Sequence, residues 1–509
     1  MDSSVSPTPK PFNIPFIVGC AVIAAAVAYA WFIYRDCASY AGGSDSSGYL
    51  NSARLFAHGQ LWESVRVVPG LIPPVWNYYF YQALGINVDF ETGRMVPSYP
   101  IGVPVHYALA SLIVGFEKAA RVVNMLNALA AGGLLYALGR RLGLAGVWAL
   151  GGVALLWACP VWIFQSLQPM SDSIATTWVI AAMLCTLRAR EQVAWAAAGG
   201  AAFAIAVLVR PTSLVVIVPL LVLLGGNWHR WMAFILGGLP FAFVLGAYNH
   251  AVYGGIIESG YNHGGHYIFD AWEWRFLQGN LLHFARWIPQ LISPLVALPA
   301  LLGLPWLFRR TPRIAWLLVI WIGVLIALYA CYFCAGETWW YLRFLLPGFP
   351  AVILAGLLAL QIAARPLTGK WARLAPVLLL AISVGWEWRL DDRLHVTNIK
   401  DAEHNYWIAG LWVRDHVPAD AILLTWQLSG SSLFYNTQPI VRWDVIEPAQ
   451  FELLCQTAAK LHRPIYAPLY AFEKAELQKK LGGEWLAIAH PSKVTIWRLI
   501  GPKPPEVTP

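Results

Sequence analysis

The sequence predicts an α-helical polytopic membrane protein with about eleven transmembrane helices, additional helices lying at the outer leaflet, and a C-terminal extracytoplasmic α/β domain. Three observations predict it. Of the 509 residues, 58% are hydrophobic and only 12% charged, with a mean hydropathy of +0.55, which soluble globular chains do not sustain. Eleven apolar runs are long enough to cross or nearly cross a hydrocarbon core. From Asp391 onward charge rises and strand and helix patterns alternate, as in a small α/β domain.

The first run, Ile14 to Tyr34, spans about 30 Å as a helix. Lys10 before it and Ala28-Tyr29-Ala30 near its end carry a faint signal-peptide pattern, but the length and the many later spans favour an uncleaved anchor. The other runs are 119–138, 144–165, 173–187, 193–209, 211–226, 231–250, 288–308, 314–333, 343–363 and 374–389. Alternate connections hold Arg140 and Arg141, Arg188 and Arg190, Arg230, then Arg309, Arg310 and Arg313, then Arg365, Lys370 and Arg373. Basic residues favour the cytoplasmic side, so the N-terminus is expected inside and the C-terminus outside. Of fourteen acidic residues before position 390, only Asp2 and Glu191 then fall inside, which places a polar cavity at the outer face. The net charge of +8 follows from this sidedness and not from a nucleic-acid surface.

Residues 1–13, with Pro7, Pro9 and Pro11, read as a disordered cytoplasmic lead, and 501–509 as a disordered tail. The transmembrane domain covers 14–390 with a large outer loop at 35–118, and the α/β domain covers 391–500 with a mostly parallel sheet. That domain has no glycine-rich phosphate motif, so no nucleotide site is expected there. In the outer loop, Tyr49, Leu50, Ala53, Phe56 and Ala57 recur at helical spacing, Asp45 stands at the N-cap and Gly59 at the stop. The spacing predicts a short amphipathic helix along the membrane surface. The run from Ser98 to Phe116 is too short to span and is expected to dip into the outer leaflet.

Asp172 opens the helix after the next outer turn, either as a cap or as a second site carboxylate. Arg210, between two apolar runs, needs a partner, since an arginine at mid-span costs roughly 2.5 to 3.5 kcal/mol. A phosphate and an outer carboxylate are equally suitable. Arg343 repeats the situation. Cys331 and Cys334, and His263 and His266, have too few companions for a metal site; packing or an incidental disulfide suits the cysteines better, and a flexible loop the histidines.

The order of these features resembles the C-type (GT-C) membrane glycosyltransferases, and within them the protein O-mannosyltransferase and aminoarabinose transferase branch. The family's Asp-Glu-x-x-Tyr appears as Asp45-Ser46-Ser47-Gly48-Tyr49, its Tyr-Pro-Pro-Gly-x-Pro as Tyr99-Pro100-Ile101-Gly102-Val103-Pro104, and its Arg-Tyr-Leu-Leu-Pro as Arg343-Phe344-Leu345-Leu346-Pro347. Ser46 replaces a Glu, which weakens any metal requirement, and Tyr99 stands where some members carry a Lys that contacts lipid phosphate.

The resemblance implies a polyprenyl-phosphate sugar donor and a lipid, glycan or protein acceptor hydroxyl, with transfer at the outer face and inversion. Asp45 is then the general base and Asp172 orients the acceptor or helps hold a divalent cation, whose requirement stays open. Arg210 and Arg343 neutralise the donor phosphate, and Tyr49, Arg54, Tyr99, His106 and Glu337 line the substrate cavity. A secondary transporter or lipid flippase is the main rival, though it would carry internal repeats and mid-membrane polar residues, which the chain lacks. A non-catalytic scaffold would not need paired outer carboxylates and arginines.

Overall fold

The computed structural model describes residues 14–262 and 271–501. The expected lead 1–13, the tail beyond Gly501, and His263, His266 and Asp270 lie outside the described residues. Each of the eleven apolar runs is helical along most of its length. Five described helices are long and apolar enough to cross a membrane, namely Val18–Asp36, Phe116–Arg141, Trp228–Tyr253, Pro312–Tyr329 and Trp339–Ala363. A sixth is formed if Gly146–Ala158 and Pro160–Ser166, bent by 61°, count together. The bend follows from Pro160, which forces Cys159 into extended backbone. The run at 288–308 is not one helix but parts of three, Leu277–Leu291, Pro294–Leu302 and Leu304–Arg310. Ser293, at φ 63°, and the Pro294 that follows it interrupt the first of these, and Gly303 separates the other two.

The outer loop carries helix Ser44–Ala57 and a three-stranded antiparallel sheet of β1 (Glu63–Ser64), β2 (Ile86–Val88) and β3 (Arg94–Pro97), in the order β1-β3-β2. Near the C-terminus, β4 (Ile422–Leu424), β5 (Ile440–Val441), β6 (Ile465–Tyr470), β7 (Glu484–Ala489) and β8 (Val494–Gly501) form a sheet in the order β5-β4-β6-β8-β7. The sheet is half parallel, correcting the mostly parallel expectation: β4 pairs parallel with β5 and β6, whereas β8 pairs antiparallel with β6 and β7. Only four residues separate β7 from β8, too few for the crossover that parallel pairing needs. One apolar core joins the loop to this region. Val68, Leu71, Trp76, Ile86 and Met95 pack in the same cluster as Leu423, Leu433, Val441 and Ile496.

Helix Ser44–Ala57 also departs from expectation. Its buried face is wider than an amphipathic pattern predicts, with Ser46 through Ala53 all enclosed by protein. Tyr49, Leu50 and Ala53 pack with Val103, Tyr107 and Ala108 of helix Gly102–Val114. The polar side meets helix Ser429–Tyr435, where Asn51 Nδ2 donates to the Gly430 carbonyl at 2.9 Å. Gly59, at φ 70°, lies just beyond the end of the helix, as expected. Helix Gly102–Val114 ends at Gly115 and exposes Leu109, Leu112 and Ile113, an apolar face suited to lipid.

Candidate functional site

Gly43, not Asp45, precedes the first turn of helix Ser44–Ala57, and Asp45 makes no cap hydrogen bond. The Asp45 side chain instead pairs with Arg343 and is 30% exposed. Ser171 precedes helix Asp172–Arg188, leaving Asp172 as its first residue, buried to 1%. Arg210 ends helix Ala194–Val209 in extended backbone ahead of Pro211. Arg343 lies in a ten-residue 3-10 segment, Trp339–Gly348. Leu342 and Leu345, three apart and therefore eclipsed, are both buried, and Arg343 lines the cavity.

A cavity of about 310 Å³ gathers Asp45, Asp172, Arg210 and Arg343, together with Tyr49 and Tyr99. Arg343 Nη1 donates to Asp45 Oδ2 at 2.9 Å. Arg210 Nη1 pairs with Asp172 Oδ1, which realises the carboxylate alternative for this arginine. Arg210 is further held by Tyr329, whose hydroxyl lies 3.3 Å from Nη2, and by Thr212, whose Oγ1 accepts from Nε at 3.2 Å. The centroid of the Phe344 ring lies 5.1 Å from the Arg210 guanidinium carbon and 5.3 Å from that of Arg343, so one aromatic ring serves both cations. Burial alone would raise the Asp45 carboxyl. The Arg343 guanidinium, the Tyr99 hydroxyl and the charge of Arg210 outweigh that and hold it below the usual carboxylate range.

Two polar groups in this cluster, Asp172 Oδ2 and Arg343 Nε, are buried without a hydrogen-bond partner among the described residues. A buried polar atom left unpaired costs roughly 1 to 3 kcal/mol, so such atoms beside a cavity mark a place for a ligand. No group of three His, Cys, Asp or Glu side chains with metal-binding geometry occurs among the described residues. Cys331 and Cys334 are unbonded, and Cys334 lies on the cavity wall.

Three expected lining residues stand elsewhere. Arg54 donates to the carbonyls of Leu433 and Phe434 and docks the C-terminal region. His106 is tied within its own helix to the Gly102 carbonyl and accepts from Trp178 Nε1 at 3.2 Å. Glu337 is exposed at the turn before the 3-10 segment. Helical spacing fixed the faces of Arg54 and His106 but not what those faces would meet.

A second, polar cavity of about 330 Å³ lies against the first. Asp45, Tyr341 and Arg343 line both, and the second adds Gln165, Gln168 and Glu403. Glu403 is buried, and its Oε1 accepts from the Gly43 N–H at 3.3 Å across 360 positions of sequence. Its Oε2 has no hydrogen-bond partner among the described residues, nor do the side-chain atoms of Gln165. Burial pushes Glu403 up to about 7, opposed by the neighbouring Ser46 hydroxyl and the Gly43 N–H.

No family model and no curated relative matches the chain by sequence. Comparison of structures is decisive for the fold. ArnT from Cupriavidus metallidurans bound to undecaprenyl phosphate aligns at a TM-score of 0.58 and 15% identity, over 94% of this chain and 98% of that one. The chain has the GT-C fold. The oligosaccharyltransferase AglB from Archaeoglobus fulgidus, solved with an inhibitory peptide and a dolichol-phosphate, aligns at 0.53 and 11% identity, over 93% of this chain and 74% of that one. Mycobacterial arabinofuranosyltransferase AftD aligns at 0.50 and 13% identity, over 94% of this chain and 42% of that one.

Within this GT-C fold the sequence reading missed Glu403, Tyr329 and Thr212. Tyr329 and Thr212 lie beside expected residues, Thr212 two positions after Arg210, and could have been found by proximity. Glu403 carried no local signal, because it reaches Gly43 only through the shared core of the outer loop and the C-terminal region.

Proposed function

We propose that this protein is an integral membrane glycosyltransferase that moves a sugar from a polyprenyl-phosphate donor to an acceptor hydroxyl at the outer face. The observation that carries the reading is the convergence of Asp45, Asp172, Arg210 and Arg343 on one cavity. The ArnT and AglB structures contain undecaprenyl phosphate and dolichol-phosphate, which supports a lipid-phosphate donor.

In this reading the donor occupies the aromatic-lined cavity and the acceptor the polar one, with Asp45 on the wall between them. Arg210 already has hydrogen-bond partners at Nε, Nη1 and Nη2, whereas among the described residues Arg343 hydrogen-bonds only to Asp45. Arg343 therefore receives the phosphate, and Arg210 anchors the wall. A phosphate that draws on Arg343 takes counter-charge from Asp45 and makes its carboxylate a stronger base at the moment the donor is bound. Asp45 then removes the proton of the attacking hydroxyl, the anomeric carbon–oxygen bond to the lipid phosphate breaks, and the phosphate leaves as an anion beside Arg343. One base and a stable leaving group suffice for a single displacement with inversion. Glu403 and Gln165 offer acceptor-side hydrogen bonds.

The orientation follows the arginine-rich connections, with the N-terminus cytoplasmic and the cavities and C-terminal region extracytoplasmic. The decisive experiment supplies radiolabelled polyprenyl-phosphate sugars and envelope acceptors to the protein in vesicles. Transfer supports the reading; movement of the lipid without transfer supports a flippase instead.

A further inference from the structure

A third cavity, of about 470 Å³, lies far from the two described above and gathers three arginines from three separate connections. Its wall is formed by Arg190, Arg230 and Arg313 with Val222, Leu223 and Gly225. The helices Asp172–Arg188, Ala194–Val209 and Pro312–Tyr329 each have one end at this pocket and the other at the candidate site, at Asp172, Arg210 and Tyr329. Helices of this length span about 25 Å, close to the thickness of a hydrocarbon core. The arginine pocket and the candidate site therefore face opposite leaflets.

None of the three guanidinium groups has a carboxylate partner among the described residues, and Arg230 Nε is buried with no hydrogen-bond partner there. Glu191, the nearest acid in sequence, pairs with Arg141 instead. Arg230 and Arg313 lie in the first turns of helices Trp228–Tyr253 and Pro312–Tyr329, whose positive ends add to the field at the pocket. Asn227 caps the first of these helices, its side chain accepting from the N–H groups of His229 and Arg230. Val222 on the pocket wall is exposed, as is Val218 one turn before it, an apolar border that suits acyl chains.

We propose that this pocket binds the phosphodiester headgroup of an anionic phospholipid of the cytoplasmic leaflet. Guanidinium groups match phosphate oxygens by paired N–H donors, and the apolar border distinguishes a lipid from a free phosphate. The site is independent of glycosyl transfer and holds whether or not that reading stands.

The test uses the full chain purified in detergent, with native mass spectrometry after addition of phosphatidylglycerol or phosphatidylcholine, and thermal melting with inorganic phosphate alone. The variant Arg190→Gln/Arg230→Gln/Arg313→Gln is compared with Arg365→Gln/Lys370→Gln/Arg373→Gln, which removes equal charge from the same face. Retention of phosphatidylglycerol over phosphatidylcholine, weakened at least about tenfold in the first variant and unchanged in the second, is the expected result. Equal loss in both variants, no loss in either, or stabilisation of the unaltered protein by inorganic phosphate as large as by the lipid overturns it. If the first variant does not accumulate, Arg230→Lys keeps the charge but not the fork and is expected to lose the same lipid in part; full retention there also overturns the proposal.

Discussion

Arg343 Nη1 lies 2.9 Å from Asp45 Oδ2 and joins two residues 298 positions apart. The pair keeps Asp45 ionised and ties the end of the membrane bundle to the outer loop. Asp45→Asn preserves shape but removes the proposed base, so transfer is expected to fall by about 10² to 10⁴-fold with an unchanged fold. Initial rates with labelled donor, alongside melting curves, check both halves.

The acid limb of the pH profile follows from the same contact. With its folded pKa lowered, Asp45 stays a carboxylate until pH falls through that depressed value, so activity persists below the usual carboxylate range of about 4. Arg343→Gln leaves burial as the dominant influence and raises the Asp45 pKa. The acid limb of kcat/KM should move to higher pH, and the KM for donor should rise.

Asp172 and Arg210 form the more buried pair, at 1% and 13% side-chain exposure. Asp172→Asn leaves a cation without its counter-charge and is expected to cost about 3 to 5 kcal/mol. Denaturation of the double variant Asp172→Asn/Arg210→Met should show part of that loss restored, because the uncompensated charge is gone.

Gly48 permits the close approach of Tyr99 to the Asp45 helix. A Cβ at this position would lie 2.5 Å from the Tyr99 ring and 2.8 Å from the Gly85 carbonyl oxygen. Gly48→Ala is expected to destabilise by about 1 to 3 kcal/mol and to displace Tyr99, lowering transfer as well. Melting temperature and kcat report the two effects separately.

Glu403 gives a stability test. Its folded pKa of about 7 exceeds the ordinary 4.5, so the unfolded chain releases this proton first as pH rises. The stability associated with Glu403 is complete below about 4.5 and declines until about 7. Glu403→Gln should flatten that decline in a series of melting curves across this window.

Much of the fold was legible because apolar runs and glycine or proline breaks are local signals. The helix from Ser44 and its stop near Gly59 followed from spacing alone. Its environment did not, because seeing that Asn51 meets Gly430 requires knowing that the C-terminal region folds back over the loop. Asp45, Asp172, Arg210 and Arg343 could be chosen from the cost of charge near hydrocarbon, and they do share a cavity. His106, Arg54 and Glu337 were misplaced since their partners, Trp178, the Leu433 carbonyl and open solvent, leave no trace in local pattern.

The common core of the outer loop and the C-terminal sheet has a consequence for biogenesis. Residues 63–97 leave the ribosome early, yet the strands and helices they pack against are made last. The loop must wait, partly unfinished, while the helices between it and the C-terminal region are made. The wall beside Asp45 closes only when Glu403 and helix Ser429–Tyr435 arrive, so a chain interrupted before that point holds its membrane helices without a finished site.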